Sequence, residues 1–330
     1  MCQHRQLFHL TDKTTRRDSQ EDRHLTFGEN VSNADTASQK IPIAFELPDG
    51  SQRGPTLPAK PLITIEGGRR WPGLELADFW AHRELFYFLA WRDVKVRYKQ
   101  TTLGAAWAIL QPLLTMVVFT VLFGRLAKVP SEGEPYAIFS YAGLLPWNFF
   151  TNAVTSSSGS LVNSTNLITK VYFPRLLGPT AAVGAALVDL AIASVMLLVI
   201  MPIFGVGFHP SLLMFIPLAA MTALIASAAG IWTSALNVKY RDIRYALPFA
   251  IRLMMFLTPV IYPVSFLPAR WRWVLSLNPL SGTIGGFRSA IFGRPFNWRE
   301  LAVSAAMTLA MLGAATCIFR KMEKEFADVI

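Results

Sequence analysis

From about residue 105 to residue 319, long apolar stretches alternate with short polar connectors. The pattern predicts an all-α polytopic membrane protein with six spanning helices, at about 105–126, 136–161, 180–201, 211–236, 246–263 and 300–319. The spans differ in character. The first carries Gln111-Pro112 in its opening turns, which neighbouring helices or side chains can accommodate by satisfying the freed carbonyl. Pro146, Asn148, Asn152 and the hydroxyl-rich run from Thr155 to Ser160 interrupt the second, marking a packed or water-lining face. The third is strongly apolar but holds Asp189, and the fourth contains Ala223, Ser227 and Gly230, small residues that favour close helix packing. The fifth is short for a crossing of ~30 Å and ends in Thr258-Pro259-Val260-Ile261-Tyr262-Pro263. Residues 266–293 are then too apolar for an open loop and too broken for a span. Trp271, Trp273, Asn278-Pro279 and the run from Gly282 to Gly286 divide them into two re-entrant or interfacial half-helices.

Residues 78–100 carry a different pattern. Tyr87, Trp91, Val94 and Tyr98 recur at i, i+4, i+7 and i+11 on one helical stripe, with Arg92, Lys95 and Lys99 as a basic stripe alongside. A helix of this kind lies flat at a lipid interface, rings among the headgroups and charges towards water. The plainer alternative is a solvated helix face or a short strand, since Val94 to Lys99 also alternates. Residues 1–70 are polar, without an apolar run long enough for a signal peptide, and read as a mostly disordered cytoplasmic tail.

Composition agrees: 52% of residues are hydrophobic and 16% charged, against ~25% charged in soluble domains. The net charge of +10 is placed unevenly, because residues 1–70 hold 10 Lys/Arg against 9 Asp/Glu. With both termini cytoplasmic, the inner segments hold 13 Lys/Arg and the outer ones 7, as the positive-inside rule requires. Topology therefore explains the basic character better than nucleic-acid binding does. Cys2 and Cys317 are too few for a disulfide framework, and the five His have no metal-ligand spacing.

Chemistry is sparse. The chain has no Gly-Lys pair and so no phosphate-cradling loop for ATP. No acid/base cluster of the kind a membrane enzyme needs gathers at an interface. Asp189 is the one acid near mid-membrane, functional by default or else a hydrogen-bonded tie between the third span and a neighbour. Arg252, near the inner end of the fifth span, either snorkels to the interface or lines a lumen that handles phosphate.

Several motifs occur in register: Trp91-Arg92-Asp93 through Arg97-Tyr98-Lys99-Gln100, Leu103-Gly104, Trp107 to Pro112, and Tyr141 to Trp147. Asn166 to Arg175, Leu236 to Asp242, Thr258 to Tyr262, Asn278-Pro279-Leu280 and Phe326 to Ile330 continue the series. Over roughly 75–330 the chain resembles type-2 ABC exporter permeases that export lipid-linked polysaccharides such as O-antigen, capsule or teichoic acid. The resemblance implies a non-catalytic permease of the bacterial inner membrane, paired as a homodimer with two copies of an ATPase subunit that binds ATP and magnesium. It places Arg92, Arg97, Lys99, Lys170, Tyr172, Phe173 and Arg175 at the cytoplasmic face, in ATPase coupling and substrate admission. Lys170 and Arg175 suit acids on a partner or a lipid diphosphate, though the connector also suits interfacial anchoring alone. Trp271, Trp273 and Phe287 match a periplasmic gate whose rings stack on sugar faces, and interfacial belt residues look the same in sequence. Rival readings are a type-2 exporter of a small lipophile, a membrane enzyme on lipid-linked sugars, and a secondary transporter.

Overall fold

The computed structural model describes residues 80–99, 106–164, 174–324 and 326. Among these residues the chain is helical, with no strand. Helix α1 (Arg83–Lys99) places Glu84 in its first turn and Arg97 and Lys99 in its last, complementing the helix dipole. Helix α2 (Ala106–Phe119) runs on into a π-helical stretch, Thr120–Leu126. Helices α3 (Tyr136–Asn163) and α4 (Leu177–Ile203) follow. Gly205, at φ 75°, ends α4 by letting Val206 N–H reach the Met201 carbonyl at 2.9 Å. A 3-10 turn, Pro210–Met214, leads into α5 (Phe215–Lys239), which is followed by α6 (Ile243–Leu257). Two shorter helices come next, α7 (Ala269–Ser276) and α8 (Pro279–Phe292), and α9 (Trp298–Glu323) closes the series.

Among the described residues, four segments are long and apolar enough to cross a membrane: Ile109–Leu126, Leu177–Ile203, Pro210–Lys239 and Trp298–Glu323. Helix α3, at 28 residues, has the length (~42 Å at 1.5 Å per residue) but not the apolar content. It is instead the centre of the fold, with 18 of its 28 residues buried, 11 of them in the main core with residues of α4, α5 and α8. The fifth predicted span is shorter than expected. Helix α6 stops at Leu257 after 15 residues, ~22 Å, because Pro259 has no N–H to continue the ladder and holds Thr258 extended (φ −106°, ψ 138°).

The two expected half-helices are present, and they are not equivalent. Helix α7 is a surface element that exposes Trp271 and Trp273. Helix α8 is core: 11 of its 14 residues are buried. Asn278 caps it by accepting from Leu280 N–H at 3.1 Å, Pro279 opens it, and Gly293 ends it at φ 66°.

The helix ends alternate between two ends of the bundle. At one, Leu161 of α3, Val238 of α5 and Phe319 of α9 share a cluster. At the other, Ser211 in the 3-10 turn before α5 donates to the Ala290 carbonyl of α8 at 2.9 Å. Helix α1 belongs to the first end, which it shares with the start of α4. One side of it packs on that helix, and the opposite side, with Tyr87, Phe88, Trp91 and Val96, is exposed. Leu89 packs with Leu177 and Ala181, and Phe86 lies over Gly184. The predicted aromatic stripe is accordingly split: Tyr87 and Trp91 are exposed and stacked 6.4 Å apart, while Val94 is buried and Tyr98 turns towards α4.

Candidate functional site

At the α1 end the last turn of α1 brings two side chains to Asp189. The Arg97 guanidinium forms an ion pair with its carboxylate, and the Tyr98 hydroxyl donates to it. The second Arg97 nitrogen lies 3.3 Å from Ser156 Oγ of α3. Asp189 is twelve residues beyond Leu177, ~18 Å along α4, so α1 reaches well down that helix. The sequence reading assigned Arg97 to substrate admission and Asp189 to a separate intramembrane position; the structure makes them one pair. A partly buried charge is tolerated only when paired, and Asp189 here ties α4 to α1. Burial and the Asp189 carboxylate raise the Tyr98 hydroxyl well above its ordinary range, so it stays a proton donor.

Two further arginines bracket the connector between α3 and α4. Arg92, paired with Asp93 at 2.9 Å, reaches Ser164 Oγ at 3.5 Å. Arg175 donates to the Glu323 carbonyl at 2.8 Å, with its Nε 3.9 Å from the Glu323 carboxylate and its guanidinium 5.9 Å from the Phe326 ring. The connector thus leaves beside α1 and returns against the end of α9. Lys99 is exposed at the end of α1, and Arg252 is exposed on α6. Lys170, Tyr172 and Phe173 lie outside the described residues.

The polar run of α3 divides into two faces. Ser157 and Ser158 are buried glue: Ser157 Oγ donates to the Pro179 carbonyl at 2.9 Å, and Asn237 Nδ2 donates to the Ser158 carbonyl at 2.9 Å. Gly230 makes room, since a Cβ there would come within 2.7 Å of the Ser157 Cβ. Asn148, Asn152 and Thr155 share the other stripe at i, i+4 and i+7; Asn148 is half-buried and the other two are exposed. They are an open polar face on the most central helix.

At the α8 end, the three predicted gate residues separate. Trp271 and Trp273 are on the surface, whereas Phe287 is fully buried, edge-on to Phe215 at 4.7 Å. Phe287 is therefore a core residue, because it faces α5 from the buried helix rather than the surface one.

Arg288 escaped the sequence reading. It donates to the carbonyls of Pro259 at 2.9 Å, Val260 at 2.7 Å and Tyr262 at 3.3 Å, with its guanidinium 3.7 Å over the Phe139 ring. Tyr136 Oη donates to the Ile261 carbonyl at 2.9 Å. All four carbonyls of the proline-broken bend are thereby satisfied, as buried non-helical backbone requires. Gly143 permits the approach, since a Cβ there would lie 2.6 Å from the Val260 oxygen. The available signal was a lone arginine in an apolar, glycine-rich half-helix close behind Pro259 and Pro263. Beside it, Arg294 clamps the loop before α3, pairing with Glu132 at 2.6 Å and Glu134 at 2.9 Å.

Known proteins are similar to this chain in sequence. An O-antigen export system permease protein, RfbA, of Myxococcus xanthus is 29% identical over 258 residues, covering 77% of this chain and 98% of the relative. Its namesake from Klebsiella pneumoniae is 27% identical over 250 residues, covering 75% and 95%. The polysialic acid transport protein KpsM of Escherichia coli is 21% identical over 237 residues, covering 71% and 91%. Residues 84–292, from the first turns of α1 to the end of α8, match the family model described as ABC-2 type transporter, and the chain belongs to that family of membrane transport permeases.

Proposed function

We propose that this chain is the membrane-spanning permease subunit of an ATP-driven exporter that moves lipid-linked polysaccharide, of the O-antigen kind, out of the cytoplasm across the bacterial inner membrane. The observation that carries the reading is the reach of the similarity. Permeases named for O-antigen export and polysialic acid transport align over 91% to 98% of their own lengths, spans and connectors together. Hydrolysis falls to a separate ATPase subunit, which binds ATP and magnesium, since this chain lacks a Gly-Lys pair. Two copies of each subunit form the working unit. Helix α2, of whose apolar window only 6% is buried, leaves a face for lipid or for the second copy.

In this arrangement α2 to α6 and α9 make six crossings, with the α1 end and both termini in the cytoplasm. The stripe of Asn148, Asn152 and Thr155 faces a hydrated path between protomers, with Arg252 near its inner end. Arg92, Lys99, Lys170 and Arg175 meet the lipid diphosphate and the ATPase, and Tyr172 and Phe173 supply the apolar contact. Movement passes through the Arg97–Asp189 pair to α4. Trp271 and Trp273 form the outer gate, seated on α8. The test is deletion of the gene, followed by gel analysis of surface polysaccharide and of intracellular lipid-linked glycan. Loss of surface polymer with accumulation inside is expected; a normal surface would reject the polysaccharide reading in favour of a small-lipophile exporter.

A further inference from the structure

A cavity of about 350 Å³ opens at the α8 end, between α8, the loop before α3, the Pro263-Val264 bend and the first turn of α9. Glycines form part of its lining, and a Cβ on Gly285 would meet nothing within 4 Å, so this position looks onto free space. Phe292 supplies an aromatic wall. The volume is at the small end of ligand sites (~300–1,000 Å³), enough for a sugar unit but not for a polymer.

The polar groups around it divide into engaged and free. Arg288 is engaged with the bend carbonyls, and Arg294 with Glu132 and Glu134. The second Glu132 oxygen accepts from Ser265 Oγ at 2.9 Å. By contrast, the Glu300 carboxylate has no partner among the described residues, its backbone N–H alone being capped by Asn297 Oδ1 at 3.4 Å. Asn297, which is exposed, spends its oxygen on that cap, and its amide N–H groups have no acceptor among the described residues. The cavity therefore offers one charged acceptor and one neutral donor side by side on a single helical turn.

This pairing selects a class of ligand. An anion meets an unpaired carboxylate, and a small cation meets two fixed guanidinium groups. A neutral polyol meets neither obstacle: one hydroxyl donates to Glu300, a neighbouring one accepts from Asn297 Nδ2, and a ring face rests on Phe292. A zwitterionic phospholipid headgroup also matches the charges. However, the lining comes from α8, from loops and from the first turns of α3 and α9, not from the length of a spanning helix, where acyl chains would lie.

We propose that this cavity binds a single neutral sugar unit of the exported glycan at the outer end of the path, with Glu300 and Asn297 as its hydrogen-bonding pair. The inference rests on the polysaccharide reading above. The experiment is saturation-transfer NMR on the assembled transporter in nanodiscs, with methyl glycosides of glucose, galactose and mannose as probes. Saturation of at least one glycoside is expected. Glu300→Ala should weaken it about tenfold, the loss of one charge-assisted hydrogen bond, and Gly285→Phe should abolish it by filling the space. Binding unchanged in both variants, or absent from the unaltered protein while export is intact, would overturn this inference and leave the export function standing. Loss of a co-purified phospholipid in Gly285→Phe, read by native mass spectrometry without any sugar signal, would identify a headgroup site instead. A gene deletion with a normal cell surface rejects the export reading whatever the glycosides do, so the two failures are distinguishable.

Discussion

Arg97 at the α1 end and Arg288 at the α8 end are both drawn into the helical body, and they are neutralised by opposite means. Arg97, 30% exposed, is held by a carboxylate on another helix, with a tyrosine hydroxyl on the same acceptor. Arg288, 8% exposed, has its hydrogen bonds to backbone carbonyls of a broken segment and an aromatic face beneath it. The first is a contact between two side chains on separate elements, which can part and re-form as those elements move. The second is part of the backbone's own hydrogen-bond accounting, and the bend cannot hold its shape without it. The α1 end of the bundle is thus joined by a separable pair, and the α8 end by a fixed brace.

Breaking the brace has the largest expected effect. Arg288→Ala strands three carbonyls in a low-dielectric setting and should cost about 3–5 kcal/mol, seen as a large drop in the thermal unfolding midpoint in nanodiscs. Arg288→Lys should recover little, because a single ammonium cannot reproduce the fork that reaches carbonyls on both sides of Val260. Full stability in Arg288→Lys would refute the brace.

Breaking the pair comes next. Asp189→Ala leaves Arg97 part-buried without its carboxylate and should cost about 2–3 kcal/mol, with export falling further than stability does. The exchange Arg97→Asp with Asp189→Arg should restore much of both, measured as surface polymer and unfolding midpoint in one series. Failure of the exchange together with full activity of Asp189→Asn would show that charge is not what joins α1 to α4.

A smaller effect is expected at Arg175. Arg175→Ala removes one hydrogen bond to the Glu323 carbonyl and a long ion pair, about 1 kcal/mol. ATPase co-purification should be intact while export is cut. The smallest change in stability is expected for Trp271→Ala with Trp273→Ala, within about 0.5 kcal/mol per site because both rings are exposed. Any loss of export in that double variant therefore reports on the proposed gate role of these rings and not on folding.

The sequence by itself determined the helical, membrane-embedded class, the approximate position of each long helix and the family. Runs of apolar residues and proline breaks are local properties, and a bilayer leaves the backbone few other choices. It also located α1, the Asn278-Pro279 break before α8 and the polarity of α3. Only the tertiary structure decided which face of each element is used. Ser157 and Ser158 became glue while Asn152 and Thr155, on the same helix, stayed open. Phe287 went to the core and Trp273 to the surface, although both lie in one half-helix region. Arg97 and Asp189, 92 positions apart, became partners. Arg288 was invisible in advance because its partners are backbone carbonyls, which every residue carries and no side-chain pattern announces. Pairing across such distances depends on how helices cross, and crossing is settled by packing over the whole core.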